Sequence, residues 1–250
     1  MYNITICIPS IRTERQADLY DSIKNSVENY SFELILVGTS IHQNLVGLPN
    51  VKFILSYSAP ARCAQIGFLL SESEIITWGS DDGRFQPKAL KECIDLLLSK
   101  TTKDGITIRY CEGPNFTGSC PDDSYWTGYT HADQRLIGVN PSWKIAPVGM
   151  YYTETFYKLG GFDCRFEHLN MCCHDLAYRI QKNGGQIYLS PNLVINCDQN
   201  PGTQEHAPVQ NAYFINDLPL WNSLYNKENN IINIDYDNWK KAPSVWRRFK

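Results

Sequence analysis

Two adjacent carboxylates, Asp81 and Asp82, follow the β-rich run Ile75–Trp78. Like charges side by side repel unless a cation lies between or beside them. A hard divalent ion meets that need, and Mg2+ is typically held by one or two carboxylates together with substrate phosphates. The small neighbours Gly79, Ser80 and Gly83 leave room for a ligand at the backbone. The plain alternative is an Asp-Asp-Gly surface turn. A second group is Cys164, His168 and Cys172, spaced i, i+4, i+8, with Cys173 and His174 beside them. On a helix those three share a face, and Cys and His suit Zn2+. Their spacing is not that of a zinc finger.

The elements that must position these groups alternate. Ile4–Ile8 reads as a strand closed by Pro9, and Tyr20, Ile23, Val27 and Tyr30 recur at helical spacing. Strands follow at Phe32–Val37, Val51–Leu55, Ile75–Trp78 and Ile106–Tyr110, with helices at Ala61–Ser71 and after Pro87. This β-α order predicts an α/β fold, a mostly parallel central sheet with helices on both faces. The carboxyl ends of such strands line the ligand crevice, which places Asp81 and Asp82 there.

Periodicity stops over Cys111–Trp143, and an aperiodic stretch this long is usually functional. Its Tyr125, Trp126, Tyr129 and Trp143 offer flat faces for sugar rings, or pack the loop on the sheet. Pattern returns at Val148–Leu159, in a helix over Asp175–Asn183, in strands Gln186–Leu189 and Leu193–Asn196, and in a helix over Asn211–Tyr225.

Hydrophobic residues make up 43% of the 250, enough for a real core. With 23 basic and 26 acidic side chains the net charge is −3, so a general nucleic-acid partner is not expected. No stretch approaches the ~18–20 apolar residues of a membrane span. The opening residues lack a secretory pattern, and nine cysteines are spread along the chain. The expectation is reduced thiols in a cytoplasmic protein.

Several short segments occur in a telling order: Thr5–Arg12, Glu33–Val37, Pro60–Gly67, Ser80–Asp82, Lys158–Asp163 and Asp175–Arg179. The set resembles the family 2 glycosyltransferases, inverting enzymes of the GT-A (Rossmann-like) fold, over roughly Ile4–Ile195. The resemblance implies one GT-A domain overall. Residues 1–110 form the nucleotide-sugar half, 111–210 the acceptor and catalytic half, and 211–250 a closing helix and tail. It implies a metal-dependent hexosyltransferase that moves a sugar from a nucleotide donor, a UDP-sugar in first place, to a saccharide or lipid-linked hydroxyl.

Residue by residue, the resemblance makes Asp82 the ligand of Mn2+ or Mg2+, with His206 as a further ligand. It puts Asp81 near the ribose or the metal's water shell, Arg62 near the nucleotide, and Pro9, Ser10 and Arg12 at the base and ribose pocket. Gly160–Asp163 match the segment beside the acceptor. The chain departs from the family in two places. Val37–Ser40 lacks the acid that reads uracil, and Cys173 stands where the catalytic base belongs. Asp175 is ranked first as its replacement, then Glu167, then His174. The plain reading of Asp175 is a helix N-terminal acid.

Two rival functions stand beside the transferase: a non-catalytic nucleotide- or sugar-binding protein, and a structural zinc protein. A nucleotide-sugar pyrophosphorylase ranks lower, because no glycine loop follows the first strand. The basic and aromatic tail around Trp239 and Trp246 suits either a solvated segment packing its tryptophans on the domain, which is favoured, or a peripheral contact at the inner face of a membrane.

Overall fold

The computed structural model describes residues 2–118, 144–199, 206–225 and 233–250. Tyr125, Trp126, Tyr129 and Trp143 lie outside the described residues. Apolar runs become the inner strands β1 (Tyr2–Ser10), β2 (Phe32–Gly38) and β4 (Ser73–Trp78) and the half-buried edge strand β3 (Val51–Leu55). Every residue of β2 is buried, as expected of a strand covered on both faces. The helices α1 (Gln16–Val27), α2 (Pro60–Leu69) and α3 (Ala89–Leu98) bury one face each. Pro60 opens α2 at a first-turn position, where its missing N–H costs nothing.

The remaining strands are β5 (Gly83–Phe85), β6 (Gly105–Gly113), β7 (Gly149–Tyr152) and β8 (Ile187–Asp198). Helix α4 covers Thr153–Lys158 and α5 covers Leu169–Lys182. The eight described strands form one sheet in the order β3-β2-β1-β4-β7-β6-β8-β5. Pairings β1–β2, β1–β4, β2–β3 and β6–β8 are parallel; those of β7 with β4 and β6, and of β5 with β8, are antiparallel.

Several elements differ from the sequence reading. The two strands predicted around Pro191 are one strand, β8, because the ladder to β6 shifts register around Arg109. There the Ser190 hydroxyl accepts the Arg109 backbone N–H at 2.9 Å, so the proline's missing donor is tolerated in a bulge. Helix α5 begins six residues early, at Leu169, with His168 as its N-cap. The last helix is interrupted: α6 (Ala207–Ala212) and α7 (Leu218–Tyr225) are joined by a π turn over Tyr213–Asp217. Such turns often mark functional positions.

Gly160 and Gly161 have φ of +86° and +73°, which only glycine adopts cheaply. They turn the chain so that Phe162 meets Phe68 and Phe156, with ring centroids 5.5 and 5.2 Å away. Gly160–Asp163 is therefore a packing turn and does not line the cleft described below. No described helix is long and apolar enough to cross a membrane.

Candidate active site

A cleft of about 380 Å³ opens at the carboxyl ends of β1, β2, β4 and β6. Asp81 and Asp82 stand in the turn between β4 and β5. Both are buried, yet their surroundings differ completely. Asp81 accepts four hydrogen bonds: from the Ile11 and Arg12 backbone N–H at 2.7 Å, the Arg12 guanidinium at 2.5 Å and the Ser10 hydroxyl at 3.3 Å. It braces the loop after β1. Neither oxygen of Asp82 accepts a hydrogen bond among the described residues. Its nearest cation is Arg12 Nη2 at 3.7 Å. Burial and, less, Asp81 push the Asp82 carboxyl up, while the neighbouring Ser80 hydroxyl, then Arg12 and His206, pull it down.

Glu112, near the end of β6, is exposed to the cleft. Crowding by the protein and the charge of Asp82 push its carboxyl up. The Gln199 amide donates to both Glu112 oxygens, at 3.1 and 2.8 Å, and accepts from His206 Nδ1 at 3.1 Å. His206 then carries its ring proton on Nδ1. His168 also lines the cleft, and burial lowers its pKa to about 4, so the ring is neutral. Its Nδ1 accepts from the Asn170 N–H at 3.2 Å, which leaves the proton on Nε2.

The floor beside β2 is glycine by necessity. A Cβ on Gly38 would lie 1.6 Å from the Ser10 carbonyl oxygen. Backbone takes the place where a base-reading acid was looked for, beside a side-chain hydrogen bond between Thr13 and Ser40.

No family profile and no curated protein matches the chain. Solved structures do. The crystal structure of Staphylococcus aureus TarS 1-349 in complex with UDP-GlcNAc superposes with a TM-score of 0.58 at 14% identity, over 90% of this chain and 68% of that one. TarS 1-349 in complex with UDP gives 0.54 at 13% identity, over 77% of this chain and 59% of that one. TarS gives 0.54 at 14% identity, over 90% of this chain and 46% of that one. The fold is GT-A-like.

In this GT-A cleft the structure brings together Pro9, Ser10, Arg12, Asp81, Asp82 and His206. Other expected residues lie elsewhere. Arg62 turns away from the cleft, donating to the Ala242 carbonyl at 2.5 Å and stacking over Trp239. Asp175 is fully buried, paired with Arg179 at 2.6 Å and hydrogen-bonded by the Tyr225 hydroxyl. Glu167 is buried and accepts from Trp246 Nε1 at 2.7 Å and from Arg247 at 2.7 and 2.8 Å. Neither Asp175, Glu167 nor His174 lines the cleft.

The zinc grouping is also dispersed. Cys164 and Cys172 donate to backbone carbonyls, and His168 caps α5. Among the described residues no three His, Cys, Asp or Glu side chains gather as a metal site.

Sequence reasoning missed Glu112 because the β6 prediction stopped at Tyr110. The rule that strand ends line the crevice would have reached it with two more residues. It also missed the cleft roles of His168 and of the segment around Trp246.

Proposed function

We propose that the protein transfers a sugar, a hexose in first place, from a nucleoside-diphosphate donor to a hydroxyl of a saccharide or lipid-linked acceptor. The observation that carries this reading is Asp82, a buried carboxylate at a strand end whose oxygens take no hydrogen bond among the described residues. A buried carboxylate with only a distant guanidinium at 3.7 Å to offset its charge is costly. A divalent cation shared with a diphosphate satisfies it, and such ions need few protein ligands when phosphates complete the shell. TarS, which shares the fold, has been crystallised with UDP and with UDP-GlcNAc, and this supports the same donor class.

Asp82 and His206 are the residues that would hold Mn2+ or Mg2+. A carboxylate and an imidazole protonated on Nδ1 suit such an ion through Nε2. When bound, the ion neutralises charge on the departing diphosphate. The chain's own residues do the rest. Asp81 fixes Ser10–Arg12 under the nucleoside. Cys173 is a buried thiol whose pKa burial pushes far up, so it takes no proton. Glu112 is the cleft carboxylate assigned to the acceptor. It takes the hydroxyl proton as that oxygen attacks the anomeric carbon, and the bond to the diphosphate oxygen breaks with its electron pair. A single displacement inverts the configuration.

A thermal-shift panel of UDP, GDP, dTDP and CMP, with and without Mn2+, tests this on wild type and Asp82→Asn. A ligand at about 100 times its Kd adds about 2.7 kcal/mol, a shift of roughly 5–10 °C at this size. The reading requires a Mn2+-dependent shift for one nucleotide that Asp82→Asn lacks; no shift with any of them overturns it. Binding without turnover is the second reading, favoured by the thiol at position 173. Donor consumption measured by mass spectrometry separates the two.

A further inference from the structure

We infer that the outer lip of the cleft rests on the surface of an anionic lipid bilayer, through an apolar shelf made by Leu55, Tyr57, Val245 and Phe249. The shelf is built by alternation. In the stretch that leaves β3, Ser56 and Ser58 line the cleft, while Leu55 and Tyr57 alternate with them and are 60% and 45% exposed. The C-terminal segment adds a second row. Val245 bridges Tyr57 in parallel, the Trp246 N–H donates to the Tyr57 carbonyl at 2.8 Å, and the Ser58 hydroxyl donates to the Ser244 carbonyl at 3.0 Å. Trp246 is buried, with Glu167 accepting its indole N–H, and Val245 stays 41% exposed beside Tyr57. The Phe249 ring meets the Tyr57 ring edge-on at 5.5 Å and also lines the cleft, so the shelf is continuous with the cleft mouth.

Nine large hydrophobic side chains are exposed among the described residues, and these four belong to two segments bound to each other. Single exposed apolar residues are ordinary, whereas a joined patch with a polar rim marks a surface that something covers. The charge of the rim says what. Residues 55–58 and 244–250 carry Arg247, Arg248 and Lys250 and no acidic side chain. Arg247 pairs with Glu167, but that carboxylate is buried and the guanidinium is 31% exposed. Apolar and aromatic side chains rimmed by cations fit the boundary between anionic headgroups and hydrocarbon. A symmetric dimer through the same face would instead set the cations of the two copies against each other. The contact is peripheral, since no described helix is long and apolar enough to cross a membrane. On the transferase reading above, which this one point rests on, the seat presents the cleft to a hydroxyl carried by a lipid.

Cosedimentation without nucleotide tests this, using vesicles of phosphatidylcholine with about one-third phosphatidylglycerol and vesicles of phosphatidylcholine alone. The full chain is compared with Tyr57→Ser/Val245→Ser, with Leu55→Ser, and with Leu98→Ser as a control at the exposed end of α3. Wild type should bind the anionic vesicles and release them at high salt. Its partitioning should fall roughly 10-fold or more in the double variant and by less in Leu55→Ser, while Leu98→Ser binds as wild type. Leu55 lies outside the bridge to Val245, so its variant decides the matter where the double variant fails to fold. Wild type that sediments with neither vesicle overturns the inference, as does unchanged binding by the folded shelf variants. Equal binding to the neutral vesicles overturns the anionic surface. Self-association of wild type that the shelf variants lose, read by sedimentation velocity, also overturns it and makes the shelf a contact between copies. None of these outcomes involves nucleotide, so the donor reading stands or falls on its own thermal shifts.

Discussion

The indole N–H of Trp78 donates to the Cys173 sulfur at 2.9 Å. Trp78 lines the cleft, and Cys173 lies behind it, fully buried. Cys173, which the sequence resemblance set where a base was expected, thus holds a wall residue. Cys173→Ala is expected to leave turnover of the folded protein unchanged. It should cost about 1–3 kcal/mol of stability, from the small cavity and the unmade hydrogen bond. Urea midpoints and initial rates on the same preparation check both. Abolished turnover at wild-type stability would return position 173 to the chemistry.

Asp82→Asn removes a buried charge that lacks hydrogen-bond partners among the described residues. The ligand-free variant should be no less stable than wild type, because desolvation no longer penalises position 82. Its nucleotide affinity should no longer respond to Mn2+. Thermal melts with and without the ion read both effects, and a variant that still responds to Mn2+ moves the ion away from Asp82.

Glu112→Gln is expected to lower kcat by roughly 10²–10⁴ while nucleotide affinity persists. A base must be ionised, and the Glu112 carboxyl is pushed up by burial and by Asp82. Wild-type kcat should therefore rise with pH through a limb above the ordinary glutamate range. A pH–rate profile unaltered in Glu112→Gln would exclude it as the base.

Asp175 and Arg179 separate a catalytic from a structural role. The Arg179 guanidinium also donates to the Leu159 and Gly161 carbonyls, tying α5 to the glycine turn. Asp175→Ala strands that buried cation and should cost about 3–5 kcal/mol in urea unfolding. Turnover per folded molecule should survive. Wild-type stability with no turnover would instead restore Asp175 as the base.

Asp217 provides a pH signature. It sits in the π turn and accepts the Glu167 and His168 backbone N–H at 2.9 and 2.7 Å, and burial raises its pKa to about 6. The folded state thus holds this proton more tightly than the unfolded chain, where aspartate titrates near 3.9. Its contribution to stability is full below about pH 4 and is lost as pH rises through about 6, by roughly 3 kcal/mol. Stability of wild type minus that of Asp217→Asn should fall between pH 4.5 and 7.5. A flat difference contradicts the shift.

What the sequence determined by itself was local and periodic. The apolar runs of β1, β2 and β4 set the inner strands, since near-continuous burial on both faces leaves little choice of register, and the run of β3 set the edge strand beside β2. The Asp81–Asp82 pair was legible because two like charges after a buried strand demand an explanation. The tertiary structure alone decided which of the pair is available. The loop Ser10–Arg12 satisfies Asp81 with hydrogen bonds and leaves Asp82 only the Arg12 guanidinium at 3.7 Å, a difference no adjacent pair reveals in one dimension. It likewise buried Asp175 against Arg179, carried Glu112 to the cleft on a strand longer than its pattern, and folded Trp246 onto Glu167, 79 residues away in the chain. Partners that distant are chosen by packing and by the need to satisfy buried charge, and neither leaves a period in the sequence.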